Sequence, residues 1–130
     1  MDTTKEYIKM CEKAVEIQKL RCEVYSKLYC GDFYKGIGGK VRVCVEASKY
    51  LDKGVWLPRQ DQLQEMLPDR FSNRNPAILA EKFSKYIGKE LAKSTLGALD
   101  IIHYSMEQLW LAFVMKEKYN KTWNGKEWIK

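Results

Sequence analysis

Three observations predict an α+β fold, mostly helical, with a small antiparallel sheet of about three strands packed around a central apolar helix over 105–119. Apolar residues recur at helical spacing from Tyr7 to Leu28. The period then falls to two on either side of Gly38-Gly39. Finally, Leu109 to Met115 is apolar at every position, between a serine suited to open a helix and two lysines suited to end one. The chain has 130 residues, enough for a single domain over 1–130 with a core that needs no disulfide staples.

The elements follow in order. Thr3 or Thr4 opens a long first helix with Glu6 in its first turn, and Gly31 ends it. Its inner row is Tyr7, Met10, Cys11, Ala14, Ile17, Val24 and Leu28, and a second row at seven-residue spacing is Ile8, Val15, Cys22 and Tyr29. Next, Phe33-Tyr34-Lys35 and Lys40 to Glu46 flank Gly38-Gly39, which reads as a two-residue hairpin turn. That register sets Tyr34 opposite Val43, with Val41, Val43 and Val45 on its face, and sets Lys35 opposite Arg42 on the other. Val55-Trp56-Leu57 is a third short strand ended by Pro58, and Gln60 to Leu67 is a two-turn helix closed by Pro68. Asn75 with Pro76 behind it opens the next helix, whose buried stripe is Ile78, Leu79, Phe83, Tyr86, Ile87 and Leu91. Leu96 to Tyr104 fits either a helix or a buried strand. In the central helix Ser105 caps the first turn, Gln108 completes a capping box, and Asn120 is the stop. A type I′ hairpin at Asn124-Gly125 then brings Trp123 and Trp128 to one face as diagonal neighbours.

A helix apolar all round must be covered on every side. The cover is either the domain's own core or a second subunit, and two-fold pairing through this helix makes a homo-oligomer the expected state.

The net charge is +6, and by segment it is +1 over 1–30, +2 over 31–57, 0 over 58–75, +1 over 76–104 and +2 over 105–130. No run of like charge stands out, so an anionic partner is permitted rather than demanded. Cys11, Cys22, Cys30 and Cys44 have no pair at zinc-knuckle spacing. Leu109–Met115 is too short to span a bilayer and no stretch resembles a signal peptide, so the cytoplasm is the expected compartment, with no membrane partner.

No catalytic, metal or cofactor set survives inspection. Gly36-Ile37-Gly38-Gly39-Lys40 lacks the first glycine of a phosphate loop, which would fall at Tyr34, and a strand follows it instead of a helix. His103 is the sole histidine and reads as structural or surface. The carboxylates are scattered, so no acid–base pair forms. The protein is therefore read as no enzyme. Its candidate ligand-binding residues are Lys35, Arg42, Trp56 and Arg59, because arginine grips phosphate through two donors and an aromatic ring stacks a base.

Five strings stand out: Lys5 to Cys11, Gly31 to Tyr34, Val55 to Met66, Met106 to Met115, and Trp123 to Trp128. Together they resemble a group of small uncharacterised proteins of phages and prophages of low-GC Gram-positive bacteria. About residues 70–100 fall outside the likeness and read as a variable insert. The resemblance implies a phage-encoded accessory protein acting in the bacterial host cytoplasm by binding and occupying something. The first expectation is counter-defence through sequestration of a phosphorylated ligand such as a nucleotide signal. The alternatives are a protein–protein inhibitor of a host defence protein, in the manner of an anti-CRISPR, and a nucleic-acid-binding accessory protein.

Overall fold

A computed structural model describes residues 1–23, 31–44, 54–67, 75–91 and 103–130. The fold is α+β, as expected, with five α-helices and a three-stranded antiparallel sheet among these residues. The chain divides into two compact units, Met1–Arg59 and Gln60–Lys130.

In the first unit, α1 (Lys5–Lys13) is opened by Thr4, whose hydroxyl accepts the Tyr7 N–H at 3.3 Å, while Asp2 Oδ1 accepts the Thr4 N–H at 2.8 Å. Tyr7, Met10, Cys11, Ala14 and Ile17 are fully buried, as the spacing required. The helix does not run on unbroken. Ala14 sits at φ −82°, ψ 67°, and α2 (Val15–Glu23) restarts beyond it, with the Ile17 and Gln18 N–H groups donating to the Ala14 carbonyl. Gln18 stabilises the break by donating from Nε2 to the Cys11 carbonyl at 3.2 Å. Beyond the break Val15 is 53% exposed, and within α1 Ile8, one residue round from the buried Tyr7, is part-exposed rather than buried. The expected continuation through Val24, Leu28 and Tyr29 lies outside the described residues.

The sheet has the order β2-β1-β3, from β1 (Phe33–Lys35), β2 (Val41–Val43) and β3 (Val55–Leu57). Its register corrects the sequence expectation by one residue: Tyr34 faces Arg42, Lys35 faces Val41 and Phe33 faces Val43. The cause is the turn. The Gly36 N–H donates to Lys40 O and the Gly39 N–H to Gly36 O, both at 3.0 Å, so the loop holds three residues, Ile37-Gly38-Gly39, with Gly39 left-handed at φ 77°. A one-residue slip moves each side chain to the other face. Lys35 is thereby parted from Arg42 and pairs with Glu12 of α1 instead. Val41 and Val43 share a face with Lys35 and Phe33, away from Tyr34; Val45 lies outside the described residues.

In the second unit, α3 (Gln60–Glu65) continues into a turn that buries Leu63, Met66 and Leu67. Asn75 caps α4 (Pro76–Tyr86) by accepting the Ala77 N–H at 3.1 Å, and a π-helical stretch, Ile87–Leu91, follows. Leu79, Phe83 and Tyr86 are buried, but Ile78 is exposed, because it sits in the first turn beside the exposed Pro76 and Ala77. The question of Leu96–Ile102 lies outside the described residues. In α5 (Met106–Tyr119) Ser105 Oγ accepts the Gln108 N–H at 3.1 Å, and Asn120 ends the helix in the left-handed region at φ 53°. Every residue from Gln108 to Met115 is buried within a single chain. Phe83 of α4 stacks on Trp110 of α5 with centroids 3.8 Å apart, and Phe113 meets Phe83, Tyr86 and Trp110. β4 (Thr122–Trp123) and β5 (Trp128–Ile129) pair so that Trp123 lies directly opposite Trp128, not diagonal to it. The turn is shifted by one residue from the expected Asn124-Gly125: the Asn124 N–H donates to Glu127 O at 3.2 Å around Gly125-Lys126, and Asn124 Oδ1 accepts both the Lys126 and Glu127 N–H groups at 2.8 Å.

Candidate functional site

The four residues singled out from the sequence all lie in the first unit, yet the fold puts them to different uses. Trp56 is in β3 and only 2% exposed, so its ring offers no open face for a base. Arg59 donates from Nη1 to Gly31 O at 3.0 Å and to Asp32 Oδ1 at 2.9 Å. Asp32 is 3% exposed and Arg59 about a third exposed, so this pair anchors the loop before β1. Gly31, at φ 94°, supplies the turn that aims its carbonyl there. Lys35 is engaged with Glu12. Arg42 alone of the four is exposed, and it carries no ion pair among the described residues. Across the sheet Tyr34, Arg42 and Trp56 fall in one row on one face.

The two edges of this sheet are built differently. Along the ladder between β1 and β2, Gly36 N–H reaches Lys40 O and Cys44 N–H reaches Asp32 O at 2.8 Å. By the alternation of an antiparallel ladder, the hydrogen-bonded pair between them is Tyr34–Arg42. Arg42 therefore spends its N–H and C=O inward. The corresponding groups of Val41 and Val43 turn to the outer edge, where they have no partner among the described residues. The same alternation turns the backbone of Trp56 away from β1. There it meets Gln18, whose Oε1 accepts the Trp56 N–H at 2.9 Å and whose Nε2 donates to Trp56 O at 3.0 Å. A side-chain amide thus takes the place of a fourth strand on β3.

The open edge is accessible and basic. Val43 is 45% exposed, Ile37 at the loop tip 81%, and Lys40 and Arg42 are both exposed. Lys40 and Arg42 fall on one face and Val41 and Val43 on the other. Sequence reading missed the edge because it placed the strand one residue out of register. The alternation of Lys40-Val41-Arg42-Val43 behind a glycine turn was the available signal.

Nothing at the edge speaks of catalysis. Cys11 and Cys44 are free thiols and buried; burial pushes the Cys11 thiol well above the ordinary range, which keeps it protonated and inert. His103 is exposed. Among the described residues no three histidine, cysteine, aspartate or glutamate side chains gather to hold a metal ion, and no helix is long and apolar enough to cross a membrane. Comparison with known protein families, with curated proteins and with solved structures gives no match to this chain.

Proposed function

We propose that this chain is a non-enzymatic binding protein that engages another protein through the open edge of β2. The observation that carries the reading is the asymmetry of the sheet: Gln18 closes β3, while the outer N–H and C=O groups of Val41 and Val43 have no partner among the described residues. Such an edge binds an added strand through the main chain, whereas a catalyst needs placed side chains. The resemblance to phage proteins supports a partner among host defence proteins, which the chain would occupy and block. The test is plating of a defence-sensitive phage on a defence-competent host that expresses the protein. Plating is expected to rise with the wild type and to stay at the level of the defended host without the protein with Val43→Pro. That substitution removes one outward N–H while sparing the inner ladder, a place where an edge strand tolerates proline. Equal rescue by both proteins would sink the reading.

A second reading keeps a phosphorylated ligand, because Lys40 and Arg42 are exposed cations with no ion pair among the described residues. Calorimetry with mono-, di- and cyclic nucleotides tests it, and a steep loss of binding with salt would point to nucleic acid instead.

A further inference from the structure

We infer that the segment received by β2 is an extended strand of a partner protein in which carboxylates alternate with apolar residues. The inference rests on the proposed edge-binding function and names the chemistry of its partner. An incoming strand pairs with the outward groups of Val41 and Val43, and its own side chains then alternate between the two faces of the sheet. On one face they come beside Lys40 and Arg42, both exposed and without an ion pair among the described residues. On the other they come beside Val41 and Val43, the latter 45% exposed. Carboxylates on the first face gain charge-assisted partners, and apolar side chains on the second cover the valines.

A second copy of this chain fits the edge poorly. Two β2 strands meeting antiparallel through their outward groups overlap most fully with Arg42 set against Arg42 across the two-fold. Of the two registers shifted from it, one sets Lys40 against Arg42 and the other sets Arg42 against Cys44. Like charges directly opposite are unfavourable on a ladder, so the fullest overlap works against a second copy, whereas an acidic partner strand meets no such repulsion.

The test uses the full chain and a fluorescent peptide of alternating glutamate and valine, followed by anisotropy and by amide NMR. The expected result is saturable binding, with the Val41 and Val43 amides shifting and gaining protection from exchange. Replacing each glutamate of the peptide by lysine should weaken binding at least tenfold. Val43→Pro and Arg42→Glu should each do the same, and Arg42→Glu, an exposed change, serves should the proline variant misfold. The lysine peptide should regain affinity for Arg42→Glu. Equal affinity for the glutamate and lysine peptides overturns the inference. So does displacement of the peptide by a single-stranded oligonucleotide with Val43→Pro binding as the wild type does, which would make the edge a plain cationic patch. If the peptides fail while Val43→Pro still abolishes the plating effect, the partner chemistry is wrong and the edge-binding function stands. If Val43→Pro leaves plating unchanged, the function itself falls.

Discussion

Gln18 is the residue on which the first unit turns. Its one amide closes the β3 edge through two hydrogen bonds and caps the carbonyl of Cys11 at the helix break through a third. Gln18→Ala removes all three, and we expect a loss of about 1–3 kcal/mol, read as a lower midpoint in urea with little change in slope. An unchanged midpoint would show that water replaces the amide at no cost. Cys11 carries a pH signature. Its folded-state thiol is held above the ordinary value of about 8.5, so its contribution is complete below that pH and is lost as pH rises, when the unfolded thiol ionises first. Between pH 7.5 and 10 the wild type should lose about 2 kcal/mol more than Cys11→Ala, measured by urea unfolding of both at each pH. Parallel losses in the two proteins would contradict this.

Helix ends were legible where a residue has one physical use. Thr4, Asn75 and Ser105 each accept an early backbone N–H, and Asn120 takes the left-handed stop, all as their chemistry suggested. At Asn120, φ 53° predicts that Asn120→Gly is neutral or slightly stabilising and that Asn120→Ala costs about 1 kcal/mol, checked by thermal unfolding. Equal midpoints would mean that the helix end rearranges. Turn lengths were not legible, for a reason equally physical. Gly38-Gly39 satisfies a two-residue turn, and Gly39 by itself satisfies a three-residue one, so composition cannot choose between registers. Asn124-Gly125 posed the same ambiguity, decided by the Asn124 side chain taking two amides. The break at Ala14 had no signal at all, since neither glycine nor proline marks it and its stabilising partner Gln18 lies beyond it. The candidate site inherited the register error: Lys35 and Arg42 were read as facing each other, and the edge between Val41 and Val43 went unseen.

For the whole molecule, the composition of α5 left open whether its cover is internal or a second subunit. Each residue from Gln108 to Met115 is buried within one chain, so the helix itself leaves no apolar side for pairing, and self-association would have to use another surface. We therefore expect Leu111→Asn, at a fully buried position, to abolish cooperative unfolding altogether, since an amide there finds an apolar setting and the total stability of such a protein is only about 5–15 kcal/mol. A folded, soluble Leu111→Asn monomer would instead identify the position as an interface. The two unlike edges of the sheet have one more consequence. Runaway growth into fibrils requires each added copy to present a fresh template for the next. With Gln18 stoppering β3 and Arg42 set against Arg42 in the fullest overlap of two β2 strands, neither edge of this sheet readily templates a second copy of the chain. A chain made in quantity within a crowded cell could keep a sticky flank on offer without nucleating its own precipitate.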